Sequence, residues 1–358
     1  MGRYKVLGLM SGTSLDGLDM AICHIWEENG RWDFSFGPTK DVPYSREMGE
    51  ALKGAIHLSV SRHGALHREY GIWLGQQSKT FLGESGSQVD FISSHGHTSH
   101  HRPDQGITFQ LGEGQLLADH SGTQIICDFR AKDVSLGGQG APLVPIGDKL
   151  LFHGHDFCLN LGGISNISFD RAGSRIAFDI GLANMPLNHI ARSMGLDYDK
   201  NGTLARSGKI DPGLLDRLDH LEYYRLPHPK STGLEWFTQE VLPLVEASKG
   251  SQMDLLHTFV HHNCAQIASV VHGHAPGPKS TVLVTGGGAL NPFFMETLQE
   301  KLGPDHALVV PDPTLIAYKE ALIFALMGVL RLEGRTNVLR SVTGAKEDSC
   351  SGEIYHPR

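Results

Sequence analysis

The chain has 358 residues, of which 40% are hydrophobic and 20% charged, and a formal net charge of −8. This is the balance of an ordinary globular protein, and at ~150 residues per domain the length has room for two. The negative charge disfavours a nucleic-acid partner, and without an apolar run of about 18 residues no membrane span or membrane partner is expected.

The start, "MGRYKV", moves straight into a strand pattern. It has no apolar leader region and no Ser or Thr at position 6 for myristoylation, so a cytoplasmic protein is expected. Five scattered cysteines fit that expectation. Cys23, Cys127 and Cys158 fall inside apolar runs and read as reduced core residues, with no CxxC pair for zinc.

Tyr4 to Ile25, "YKVLGLMSGTSLDGLDMAICHI", reads as a strand, a Gly/Ser/Thr turn and a second strand. "QVDFISS" predicts a short strand buried on both faces, and "SSHGHTSHH" after it reads as a polar loop. The ligand spacing of a zinc site is missing from that histidine patch, and no role is assigned to His100 or His101. "TQIICDF" predicts another strand, and Gly137 to Gly140 a tight loop whose exit Pro142 and Pro145 stiffen.

The opening pattern then returns. Asp156 to Asp170, "DFCLNLGGISNISFD", is again strand, glycine turn and strand, followed by the strand "SRIAFDIG". "STVLVTGGGALNPFFMETLQEKL" runs a β-branched strand into Gly286-Gly287-Gly288 and a helix starting near Asn291-Pro292, where proline's missing N–H costs nothing. "HALVVPD" predicts a further strand and "TLIAYKEALIFALMGVLRL" a long apolar helix. These elements predict duplicated α/β domains over 1–146 and 147–358, with the last helices packing back toward the first domain.

Glycine turns at strand ends commonly serve hairpin geometry alone. Three of them, with hydroxyl or amide residues, instead suggest concave sites where backbone N–H groups meet phosphate. Two familiar phosphate motifs fail. Gly12 to Gly17 has the Walker glycine spacing, but Leu18-Asp19 follows in place of the lysine, and Gly286-x-Gly288 ends in Asn291. No G-x-S-x-G elbow is present. A nucleotide would then rest on backbone amides, hydroxyls and a metal ion. Asp16 and Asp19 suit acceptors for Mg2+-bound water or a sugar hydroxyl, or serve the turn and the solvent face of a strand.

"GLMSGTSLDGLD" resembles the signature of the anhydro-N-acetylmuramic acid kinases, in the sugar kinase/Hsp70/actin superfamily. The resemblance continues in order through "SSHGHT", "CDFRAKDVSLGGQGAPLVP", "NLGGISNIS", "FDIGLAN", "PKSTGLEWF", "VTGGGALN" and "KEALIFALMG". It implies an α/β fold of two duplicated ribonuclease-H-like (actin-like ATPase) domains around a central cleft, and a homodimer. It also implies an ATP- and Mg2+-dependent reaction. Water opens the 1,6-anhydro ring and the γ-phosphoryl passes to O6, giving N-acetylmuramic acid 6-phosphate in cell-wall recycling.

For nucleotide binding the resemblance implies Gly12, Thr13, Ser14, Leu15, Asp16, Gly17, Leu18 and Asp19 in the first turn, with Asp16 toward the metal. Gly162, Gly163 and Asn166 form the second turn, and Gly286, Gly287, Gly288 and Asn291 the third. Asp179, ending an apolar strand before a glycine, becomes the general base for water. Glu320 becomes the second carboxylate, orienting the water or a substrate hydroxyl. His97, Arg130, Gln139, Gly140 and Asn184 fall on the sugar side. Arg130 can fork onto the lactyl carboxylate, or pair structurally with Asp128 or Asp133.

Departures from the family pattern are His97 for Gln, Ile180, Leu182 and Ala183 for Thr, Pro and Gly, and Leu234 for Arg. They admit another 1,6-anhydro sugar such as levoglucosan. Two readings lie in other classes: a non-catalytic actin-like ATP switch, and a glycosidase working with two carboxylates and no ATP.

Overall fold

A computed structural model describes residues 2–12, 15 and 17–358. The chain divides into two compact units, Met1–Leu151 with Tyr318–Arg358, and Phe152–Ala317. This differs from the expected division at 146/147. The helix Pro145–Leu151 carries the first unit past that point, and Tyr318–Arg358 also clusters with it.

The first unit holds β1 (Arg3–Met10), β2 (Gly17–Glu28), β3 (Arg31–Pro43), β4 (Phe91–Ser94), β5 (His97–Arg102), β6 (Ile107–Leu111) and β7 (Ile125–Cys127). Its main sheet has the order β3-β2-β1-β4-β7, with the chain's last strand, Glu353–Tyr355, beside β7. β1, β2 and β3 are antiparallel neighbours, whereas β4 is parallel to β1 and β7 to β4.

Alternation along the strands sorts the two faces. Leu7, Leu9, Leu18, Met20, Ile22 and Ile92 join a core with Leu66, Tyr70 and Leu74 of the helix Val60–Glu84. Gly8 and Ser93 face the opposite way, toward the helix Pro313–Leu332. Every residue from Ala321 to Leu330 is buried, as a helix apolar on all sides must be. A side chain at Gly8 would strike the Ala321 carbonyl, and Gly328 lies against Phe91 and Ser93. Ser93 Oγ donates to the Phe324 carbonyl at 2.5 Å. Burial of each Leu or Ile on this helix is worth about 1.5–3 kcal/mol, which ties the segment to the first sheet. Among the described residues no helix is long and apolar enough to cross a membrane.

The histidine patch departs from its expected loop. His97–Arg102 is a strand, paired antiparallel with Ile107–Leu111 around the left-handed Gly106. The strand itself is all polar, so no apolar run announces it, and only its partner alternates apolar Ile107, Phe109 and Leu111 with polar residues. His95 and His97 are buried, and no group of three His, Cys, Asp or Glu among the described residues is placed to hold a metal ion.

The second unit holds β8 (Phe157–Leu161), β9 (Ile164–Arg171), β10 (Ser174–Leu182), β11 (Ser280–Thr285) and β12 (His306–Val309). Their order is β10-β9-β8-β11-β12, with β8, β9 and β10 antiparallel and β11 and β12 added in parallel. This is the strand order and direction of the first unit repeated. The helices Asn184–Ser193, Gln252–His274 and Pro292–Leu302 supply Leu187, Phe259 and Phe294 to its core. Ser251 and Asp254 open the longest of them with a reciprocal capping box, each side chain satisfying the other's backbone N–H.

Candidate active site

Three polar residues stand in one cross-strand row of the second unit. Asn160 on β8 faces Asn166 on β9, and Asn166 faces Asp179 on β10. Directly opposite residues share a face of the sheet, so the row projects to one side, next to the Gly162-Gly163 turn that joins β8 to β9. A register shift between Asp179 and Gly181 breaks the ladder there. Bulges of this kind re-aim side chains near functional sites.

Asp179 is held from several directions. Its N–H donates to the Lys230 carbonyl at 3.1 Å, and its own carbonyl accepts the Tyr223 hydroxyl at 2.8 Å. Its carboxylate Oδ2 accepts the Thr232 N–H at 3.0 Å. Burial raises the carboxyl above the usual aspartate range, and the Thr232 amide opposes that shift. A carboxylate moved in this direction is a better proton acceptor than a solvated one.

The turn beside Asp179 is braced by Asn184, whose Nδ2 donates to the Leu161 carbonyl at 3.0 Å and to the Gly162 carbonyl at 2.8 Å. The backbone N–H groups of Ala183 and Met185 donate to the Gly163 carbonyl at 2.9 and 3.0 Å. Side chains at Gly162 or Gly163 would meet only ordinary contacts, so their bareness is not a packing requirement. Gly286 and Gly288 differ: a side chain on either would press on Asn160 or Leu161. The third glycine turn therefore packs against the end of β8, and Gly287 between them stays open. Asn291 caps the helix Pro292–Leu302, its Oδ1 accepting the Phe294 N–H at 3.1 Å.

In the first unit, Met10 faces Asp19 across the β1–β2 pair, and Asp19 faces Asp41 across β2–β3. Thr13, Ser14 and Asp16 of the joining turn lie outside the described residues. Of their neighbours, Leu15 has φ +59° and its N–H points to the Gly12 carbonyl at 3.5 Å, and Gly17 begins β2. The side chain of Leu18 is in the core, leaving only its backbone for a ligand. Just before the turn, Ser11 Oγ meets the hydroxyls of Tyr44 and Tyr70 at 2.7 and 2.9 Å and His97 Nδ1 at 3.4 Å. Burial lowers the pKa of His97, favouring the neutral ring.

Arg130 donates through Nε and Nη2 to His95 Nε2 at 3.2 and 2.8 Å, and through Nη1 to the Gly140 carbonyl at 2.5 Å. A guanidinium can only donate, so His95 is neutral with its proton on Nδ1. Burial and the Arg130 charge both push the His95 pKa down. Burial lowers Arg130 to about 10, against the pull of Glu320 and Asp133. Among the described residues Arg130 makes no ion pair with Asp128 or Asp133. Asp133 instead accepts the Gly140 N–H at 2.8 Å and the Thr343 hydroxyl at 2.7 Å, shaping the Gly137–Gly140 loop. Gln139 is exposed, and its N–H donates to the Thr343 carbonyl at 2.8 Å.

Glu320 is half-buried on the helix Pro313–Leu332, and burial raises its carboxyl while Lys319 and Arg130 oppose the rise. Lys319 itself pairs with Asp148 at 2.8 Å, both side chains buried.

The structure thus gathers Gly162, Gly163, Asn166, Asp179, Asn184 and Gly286 to Gly288 in the second unit, and Arg130, Gly140 and Glu320 in the first. Asn160, Tyr223, Lys230, Thr232 and His95 were not anticipated as site residues. The "PKSTG" segment was visible as a motif, but its place beside Asp179 depends on a fold-back of some fifty residues, Thr232 bonding at a separation of 53.

Two units of one strand order, each with a glycine turn between its first two strands, define the ribonuclease-H-like class of the sugar kinases, Hsp70 and actin. The family model described as anhydro-N-acetylmuramic acid kinase matches residues 4–357, and the chain belongs to that family. The anhydro-N-acetylmuramic acid kinase of Vibrio cholerae is 32% identical over 377 residues, covering 99% of each chain. That of Actinobacillus pleuropneumoniae is 35% identical, covering 99% of this chain and 100% of its own. Among solved structures, the activator of the 2-hydroxyisocaproyl-CoA dehydratase from Clostridium difficile is 14% identical with a TM-score of 0.44, covering 92% of this chain and 97% of its own.

Proposed function

We propose that this protein is an ATP-dependent kinase that opens the 1,6-anhydro ring of anhydro-N-acetylmuramic acid and phosphorylates O6. The observation that carries the reading is Asp179, a carboxylate with a raised pKa fixed beside the Gly162-Gly163 turn. A general base must lie within hydrogen-bond reach of its water, and phosphoryl transfer needs mainly positioning and charge neutralisation.

Asp179 takes a proton from water as the water oxygen bonds to C1. The C1–O6 bond breaks, O6 takes the γ-phosphoryl group, and ADP leaves. N-acetylmuramic acid 6-phosphate results, a step in peptidoglycan recycling. Backbone N–H groups of the glycine turns hold the phosphates, and Asn166 faces them from its row. Asn291 serves the nucleotide through the helix it caps. Glu320 orients the water or a sugar hydroxyl, and Arg130, His97, Gln139 and Gly140 meet the sugar. Asn184 reaches that side through the turn it braces.

Mg2+, when bound, neutralises charge on the transferring phosphates. Asp19, half-buried at the end of the first turn, offers the carboxylate chemistry such an ion accepts, with Asp16 as its proposed companion. Buried cysteines at 23, 127, 158 and 264 suit a cytoplasmic setting. A homodimer without nucleic-acid or membrane partners completes the reading.

The test is a panel of 1,6-anhydro sugars incubated with ATP in oxygen-labelled water. Phosphorylation of the muramic sugar with label at C1 is expected. ATP turnover without sugar, or ring opening without ATP, would overturn the proposal. Neither levoglucosan nor a non-catalytic switch is favoured by a family match that spans 4–357.

A further inference from the structure

We infer that Thr232 is a further catalytic residue, whose hydroxyl holds the water that Asp179 deprotonates. The inference rests on the reading of Asp179 as general base. Lys230 and Thr232 run alongside the end of β10: the Lys230 carbonyl accepts the Asp179 N–H at 3.1 Å, and the Thr232 N–H donates to Asp179 Oδ2 at 3.0 Å. Tyr223 secures the other side, with its hydroxyl on the Asp179 carbonyl. Oδ2 already accepts the Thr232 amide, which leaves Oδ1 the more open oxygen to take a proton.

Thr232 Oγ1 is buried and meets no hydrogen-bond partner among the described residues. Buried hydroxyls are normally partnered, so this one calls for a polar atom from outside the chain. Covalent geometry keeps it within about 4 Å of its own amide nitrogen. It therefore lies in the immediate surroundings of the carboxylate. A hydroxyl can accept as well as donate. Water giving one O–H to Asp179 Oδ1 and the other to Thr232 Oγ1 keeps a lone pair for C1. Its proton passes to Oδ1, its oxygen bonds to C1, the C1–O6 bond breaks, and O6 receives the γ-phosphoryl group of ATP.

The test compares Thr232→Val, Thr232→Ser and Asp179→Asn in the full chain, with anhydro-N-acetylmuramic acid and ATP. Valine removes the hydroxyl and keeps the amide. The expected result is a loss of about tenfold in kcat, the worth of one hydrogen bond, with KM for ATP unchanged and the acid limb of the pH profile in place. Serine is expected to restore most of the loss. Wild-type kcat in Thr232→Val beside an inactive Asp179→Asn would overturn the role of Thr232 and leave Asp179 standing. An equal loss in the serine variant would also overturn it, by assigning the effect to the methyl group. Full turnover in Asp179→Asn would overturn both readings.

Discussion

Asn184 grips the carbonyl of Gly162 twice, with its backbone N–H at 3.1 Å and its side-chain Nδ2 at 2.8 Å. The bareness of the Gly162-Gly163 turn is thus offset by an external brace. Asn184→Ala removes the side-chain half of it. At about 0.5–1.5 kcal/mol per hydrogen bond, the two lost bonds are expected to raise KM for ATP roughly tenfold. Steady-state kinetics at saturating sugar measure it, and an unchanged KM would show that the phosphates do not depend on this brace of the Gly162-Gly163 turn.

Asp179→Asn is expected to retain nucleotide binding and lose product formation by at least about 100-fold, the usual scale for a general base. Titration calorimetry with a non-hydrolysable ATP analogue, together with mass spectrometry of the sugar, separates the two effects.

Acid dependence follows from the same residue. Burial raises the Asp179 carboxyl, so its basic form disappears at a higher pH than an exposed aspartate's would. The acid limb of kcat/KM should lie above 3.8, the ordinary aspartate value. The sign for stability is the reverse of a salt-bridged acid. The contribution of a raised carboxyl is present at low pH and is lost as pH rises through the folded-state value. Asp179→Asn should therefore melt higher than wild type at pH 7, with the gap closing on acidification. A gap that widened in acid would contradict the raised value.

Gly8→Ala places a methyl group where the Ala321 carbonyl already lies. Overpacking a close backbone approach costs about 1–3 kcal/mol, and urea unfolding is expected to show it as a lower midpoint. Gly30→Ala is a poor control because its φ is +77°; Gly64→Ala, inside a helix with open space around it, is a better one.

Arg130 has spent three of its five N–H donors on His95 and Gly140. A lysine cannot reproduce that fork. Arg130→Lys should raise KM at least tenfold for a sugar bearing a carboxylate, since bonds to charged groups are worth about 1.5–3 kcal/mol. KM for levoglucosan, which has no carboxylate, should change less. Equal changes for both would assign Arg130 to loop structure alone.

Much of the fold could be read from short signals. "STVLVT" and "HALVVPD" are β-branched runs and became β11 and β12; "NPFFMETLQEKL" carried its own cap and proline and became a helix. The hairpin of β5 and β6 was harder to read, because β5 has no apolar residue and only the alternation of Ile107, Phe109 and Leu111 in β6 marks a strand. The row of Asn160, Asn166 and Asp179 was hidden for another reason. It depends on strand register across two hairpins, and a one-residue slip would send each side chain to the other face. Asp179 was legible as a strand-end carboxylate, whereas the backbone groups that hold it come from Tyr223, Lys230 and Thr232, far along the chain.

The last strand, Glu353–Tyr355, and the buried stretch Ala321–Leu330 belong to the unit that also contains the first strand. A ribosome therefore makes the two parts of that unit at separate times, with the whole of Phe152–Ala317 emerging between them. The uninterrupted unit can finish folding while the other still lacks a central helix and an edge strand. In the cell, then, the interrupted unit must wait with exposed apolar surface until Tyr318–Arg358 has emerged. That interval is where chaperone capture and the effect of C-terminal truncation should concentrate.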